Sequence, residues 1–134
     1  MRVPSPRIVA IVDDDEDVRT SLRMLVESIG HEAALFQSPA DFADWKRPPS
    51  LGCVICDVRT GGGGGIQLAR RLRGGSGVPV ILVTGLVTAE IEARAAEAGA
   101  HRVFGKPFAS MDLIDELDAI LGATTEYVSS ETDV

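Results

Sequence analysis

The stretch IVAIVDDDEDV, residues 8–18, changes character at Asp13. A short apolar run rich in β-branched residues ends there. Five carboxylates follow without a break: Asp13, Asp14, Asp15, Glu16 and Asp17. A run of this kind reads as a buried strand, here 7–12. Like charges packed at a strand end repel, and holding them together costs stability unless something positive lies among them. Two readings follow. The run is a solvated loop and helix start, or it is a strand end built to hold a cation. The rest of the chain has to decide.

The same pattern of apolar run, turn and helix recurs downstream. Val18, Leu22, Leu25, Val26 and Ile29 repeat at helical spacing from Asp17 and stop at Gly30, a natural C-terminal stop. Residues 31–36 (HEAALF) read as a second strand. Ser38-Pro39 opens a short helix through Trp45, with the serine as cap and proline in the first helical position. A third strand, 51–56 (LGCVIC), ends at Asp57. The glycines 61–65 read as a loop and IQLARRLR as the helix after it. VPVILVT, 78–84, is the most apolar strand. Thr88 caps a helix to Ala98, with Gly99 ending it. A fifth strand, 100–105, and a last helix capped by Ser110 and ended by Gly122 complete the order. Five strands alternating with five helices imply a parallel sheet covered on both faces. The runs at 7–12, 51–56 and 78–84 are continuous rather than alternating, as central parallel strands are. The domain is expected to span 1–122. Residues 123–134 have no periodicity and read as a disordered tail or the start of a linker.

Bulk properties remove several classes of function. The 134 residues suit one domain, and 45% hydrophobic with 25% charged residues is ordinary for a globular protein. A net charge of −7 disfavours nonspecific binding to nucleic acid or to an anionic membrane. No apolar stretch reaches the roughly 18 residues of a membrane span. The N-terminus MRVPSPR lacks a signal-peptide core. A cytoplasmic location is expected. The pair Cys53 and Cys56 has redox-motif spacing. Both fall inside a strand, where residues three apart point to opposite faces and cannot be bridged. They read as small core residues. His31 and His101 have no partner by spacing and are expected at the surface or a strand edge. Trp45 reads as a helix-end packing residue. The terminal Thr132-Asp133-Val134 is too short a match to a C-terminal recognition motif to carry weight.

Ligands of such sheets bind at the carboxyl ends of the strands. The strand ends carry Asp13 and Asp14, then Asp57, then Thr84, then Lys106-Pro107. Three carboxylates on one edge call for a divalent cation. Oxygen donors without a His or Cys cluster favour Mg²⁺ or Mn²⁺. A lysine and a hydroxyl suit phosphoryl oxygens. Together the set suggests phosphoryl transfer onto a carboxylate.

The segments IVDDDEDV, VICDVR, VILVTG and FGKPF, in this order and each at a strand end, resemble the receiver domain of bacterial two-component response regulators. The resemblance covers about residues 7 to 121. It implies a flavodoxin-like sheet in the order 2-1-3-4-5. It implies that Asp57 accepts phosphate from a sensor histidine kinase. Asp14 and Asp57 would ligate Mg²⁺ directly, with the Arg59 backbone carbonyl, while Asp13 would act through water. Thr84 would bond the phosphoryl group and Lys106 would pair with it. The Lys106-Pro107 bond is usually cis in the family. The segment HEAALFQSPADFADW is similar to receivers of transcription factors with a C-terminal helix-turn-helix. That implies an output domain or downstream protein beyond this chain, and dimerisation on phosphorylation. Asp15, Glu16 and Asp17 are left as the solvated start of the first helix, where acids favour the dipole.

Two departures stand out. Thr60 and Gly61 occupy positions where the family has methionine and proline. The run of five glycines is costly to order, so mobility of that loop is expected. It does not match a dinucleotide fingerprint, which would need glycine at Ile66, nor a P-loop. Receivers also place an aromatic residue at the position of Val103. Phe104 is adjacent, but it faces the other side of the strand and reads as core. Among other functions, a phosphatase using Asp57 as nucleophile would usually have an acid where Arg59 stands. An interaction domain that takes no phosphate is disfavoured by the intact set Asp13, Asp14, Asp57, Thr84 and Lys106.

Overall fold

The computed structural model describes residues 6–59 and 64–122. Its elements are β1 (Ile8–Val12), α1 (Glu16–Ser28), β2 (Glu32–Phe36), α2 (Pro39–Ala43), β3 (Leu51–Asp57), α3 (Gly64–Gly74), β4 (Val80–Thr84), α4 (Ala89–Glu97), β5 (Arg102–Gly105) and α5 (Ser110–Leu121). All strand pairs are parallel and the order is β2-β1-β3-β4-β5. The expected fold class and order are therefore the observed ones. The tail 123–134 and loop positions 60–63 lie outside the described residues.

The sheet separates two cores. Val9, Ile11, Cys53, Ile55, Ile81, Val83 and Phe104 face α1 and α5, where Leu22, Val26, Leu113 and Leu117 close over them. Ala10, Val12, Val54, Cys56, Val80 and Leu82 face Phe42 of α2, Ile66, Ala69 and Leu72 of α3, and Ala95 of α4. Successive residues alternate between two apolar layers, which is why the central strands show no polar alternation. Cys53 and Cys56 fall in opposite layers, as their spacing requires. Burial pushes the Cys53 thiol up to about 12, so it holds its proton and acts as a small hydrophobe. Trp45 packs at the end of α2, with ring centroids 5.0 Å from Phe36 and 6.0 Å from Phe42.

Several boundaries differ from expectation for local reasons. Asp15 caps α1 by accepting from Asp17 N, so the helix starts at Glu16 rather than Asp17. Ser38 and Thr88 cap α2 and α4 as expected. Ser110 is instead the first residue of α5, whose cap Ala109 makes no side-chain bond. Gly64 and Gly65 belong to α3 and not to the loop. The strands β2, β4 and β5 begin one or two residues later than read.

His31 is a correction of a different kind. It is buried, because Gly30 turns the chain with φ 88 and directs His31 under the start of β1. There Arg7 N donates to Nδ1 at 3.0 Å, satisfying a donor at the strand entrance. Burial, helped by Arg7 and opposed by Asp118, lowers the His31 pKa from 6.5. The unfolded chain therefore binds a proton that the folded chain resists, and stability falls as pH drops below 6.5. Thermal melts from neutral pH to the mildly acidic range are expected to show this slope. The slope should flatten in His31→Gln, and equal slopes would contradict the assignment.

Candidate functional site

Parallel register brings four strand ends to one edge. Val12 pairs with Cys56, Asp57 with Val83 and Thr84 with Gly105. Asp13 follows β1 at once, Asp57 and Thr84 end their strands, and Lys106 follows β5. Lys106 N donates to Thr84 O at 2.7 Å, which fixes where its side chain starts. The Lys106-Pro107 bond is cis, as the resemblance implied.

From there Lys106 reaches across the sheet end. Its Nζ donates to Asp57 Oδ2 at 2.6 Å and to Asp13 Oδ2 at 3.3 Å. Asp13 is only 2% exposed, and the Asp57 side chain only 14%. The other oxygen of each acid is held by its own loop. Asp13 Oδ1 accepts from Asp15 N at 2.9 Å, and Asp57 Oδ1 from Arg59 N at 2.6 Å. Arg19 Nη1 donates to the Asp13 carbonyl at 2.6 Å. Burial raises the Asp13 pKa; the bond from Asp15 and the charge of Lys106 oppose this, and the Asp57 charge adds to it. Burial alone would lower the Lys106 pKa, but its bond to Asp57 and the two carboxylate charges outweigh that and raise it. One ammonium thus serves two partly desolvated carboxylates.

The structure does not bring every expected residue into this contact. Asp14 is exposed on the surface beside Asp13. Among the described residues no three acidic, His or Cys side chains stand close enough to form a metal cluster. Thr84 is fully buried, and its hydroxyl lies 3.4 Å from both Leu86 N and Leu86 O. Val103 is half-buried against the α2–α4 side, whereas Phe104 is buried on the other side with Phe108 at 5.3 Å. Phe104 is core, as read, and does not replace the missing aromatic residue. The start of α3 contributes a feature that the sequence reading assigned to a loop. A Cβ at Gly64, where φ is +71, would collide with Val58 O, and one at Gly65 would stand 2.8 Å from Asp57 O. Helix α3 therefore abuts the Asp57 backbone.

The sequence profile of the response regulator receiver domain matches residues 9–118. The chain belongs to this family. A receiver is a signalling domain of two-component systems. A response regulator receiver protein from Burkholderia phymatum is 36% identical with a TM-score of 0.74, over 87% of this chain and 95% of that one. The transcriptional regulatory protein TdiR of Thauera aromatica is 33% identical over 93% of this chain and 56% of its own length. FixJ of Azorhizobium caulinodans, also a transcriptional regulatory protein, is 34% identical over 96% and 62%. The chain spans little more than half the length of these two curated relatives. No helix among the described residues is long and apolar enough to cross a membrane.

Proposed function

We propose that this receiver accepts a phosphoryl group on Asp57 from the phosphohistidine of a sensor histidine kinase. The observation that supports this most is the Lys106 ammonium shared by Asp57 Oδ2 and buried Asp13 Oδ2 at the sheet edge. A carboxylate oxygen of Asp57 forms a bond to phosphorus while the phosphorus–nitrogen bond of the donor breaks. The electron pair of that bond goes to the departing imidazole, which leaves neutral because its other ring nitrogen already carries a proton. Arg59 N holds Oδ1 and so orients the carboxylate. Lys106 balances the charge that arrives with the phosphoryl oxygens. Thr84 donates to one of those oxygens once its hydroxyl turns away from Leu86.

The donors fit a hard divalent cation, since every candidate ligand is an oxygen. Asp14, Asp57 and the Arg59 carbonyl would hold Mg²⁺, or Mn²⁺, with Asp13 beside them. A bound ion supplies positive charge for the phosphoryl oxygens. Removing divalent ions with EDTA is expected to stop phosphorylation by a small phosphodonor, and added Mg²⁺ to restore it. Unchanged phosphorylation in EDTA would remove the ion from this reading. The modification itself is expected to be an acyl phosphate, lost in hydroxylamine and mapping to the peptide that contains Asp57. A phosphate elsewhere, or one stable to hydroxylamine, would contradict the assignment.

The phosphorylated receiver would signal to a C-terminal output domain or a separate protein, and by dimerisation. The transcriptional role of TdiR and FixJ supports regulation of transcription through such an output domain. The acidic body of this domain makes direct nucleic-acid binding by it a poor fit.

A further inference from the structure

The pole of the sheet opposite Asp57 carries a second site. A cleft of about 450 Å³ opens beside the entrances to β1, β3 and β4. Arg7, Arg47 and Ser76 line it, next to Pro48, Pro49 and Pro79. A hollow of about 100 Å³ shares Arg47 and Ser76 and adds Arg71. No described Asp or Glu lines either space. In a chain with 20 acids and 13 lysines and arginines, this inverts the overall balance. Among the described residues, none of these three arginines is in an ion pair.

Two of the guanidinium groups are positioned by contacts that use little of their donor capacity. Arg7 Nε donates to Ser50 O at 3.2 Å. A Cβ at Gly52 would stand 3.1 Å from Arg7 Nη2, so the side chain lies across bare backbone there. The Arg47 guanidinium carbon lies 5.4 Å from the centre of the Phe42 ring. Each fork keeps N–H groups to spare. The prolines stiffen the rim. Ser76 Oγ accepts from Val78 N at 3.4 Å, which leaves its hydrogen to donate.

We infer that this cleft binds a small organic phosphate. Guanidinium forks match phosphate oxygens in charge and planarity. Two forks and a hydroxyl suit a doubly charged group with three free oxygens better than a carboxylate, which has two oxygens and one charge. The proline walls, with Leu51 and Val78, offer an apolar surface for the organic part. The volume falls within the range of about 300–1,000 Å³ common for small-molecule sites. The site uses none of the groups around Asp57.

Amide NMR titration of the full chain with adenosine 5′-monophosphate tests this, with inorganic phosphate and acetate as comparators. Saturable shifts are expected at Gly52, Ser76 and Gly77, stronger for the nucleotide than for inorganic phosphate and absent for acetate. Arg47→Gln and, separately, Arg7→Gln should weaken binding about tenfold, each in a chain whose spectrum away from the cleft stays native. Asp57→Asn should titrate as the native chain does. No saturable shift, shifts confined to the Asp57–Lys106 edge, or native titration in both arginine variants would overturn the inference. Equal binding of inorganic phosphate and nucleotide would mean an adventitious anion only, and would overturn it too.

Discussion

A Lys106→Met variant is expected to accept phosphate about 100-fold more slowly than the native chain, the usual scale for removing one charge-stabilising donor from a reacting centre. Methionine keeps the length and much of the apolar stem but removes the ammonium. Asp57 Oδ2 then loses its 2.6 Å partner, and the arriving phosphoryl oxygens meet no cation from the protein. The same change leaves buried Asp13 beside Asp57 with no ammonium between them. Breaking a fully buried pair costs about 3–5 kcal/mol. Lys106 is 27% exposed, so about 1–3 kcal/mol of stability at neutral pH is the expected loss after discounting for solvent. Urea unfolding measures the stability, and the time course of the phosphorylated mass gives the rate. A native rate in this variant would mean that Lys106 is structural only.

Gly65→Val is expected to act through the backbone. Its Cβ would stand 2.8 Å from Asp57 O and 2.7 Å from Leu82 Cδ2. Leu82 is fully buried, and the carbonyl belongs to the last residue of β3, so neither yields freely. Overpacking of this kind costs about 1–3 kcal/mol. The relief available is to push α3 outward or to shift Asp57, so acceptance of phosphate should fall with stability. A Gly74→Ala variant is the comparator, since a Cβ there meets nothing within 4 Å. If Gly65→Val melts with Gly74→Ala and phosphorylates normally, the close approach of α3 does not constrain the site.

The legible part of the fold was what strands reveal locally. Continuous apolar runs gave β1, β3 and β4, and chemistry at their ends named Asp13, Asp57, Thr84 and Lys106. The cysteine spacing was enough to place Cys53 and Cys56 on opposite faces. What escaped depends on contacts between distant segments. His31 was expected at the surface or a strand edge, and its burial escaped because nothing nearby in sequence shows that Arg7 N needs an acceptor. Gly64 and Gly65 looked like loop because a glycine run hides which members meet another backbone. The resemblance gave Asp14 a direct metal contact and Asp13 one through water, but no local signal showed that Asp13 is buried under Lys106 while Asp14 faces water. The start of α1 at Glu16 turned on the Asp15 carboxylate reaching the Asp17 amide, whereas α5 starts at Ser110 behind an Ala109 that offers no side-chain cap.

The most direct measurement is the intact mass of the native chain after incubation with a small phosphodonor and Mg²⁺, beside an Asp57→Asn control. One added phosphate on the native chain and none on the control is the expected result. No addition to the native chain under any divalent ion, or equal addition to both, would contradict phosphoryl acceptance at Asp57 and favour an interaction domain that works without phosphate.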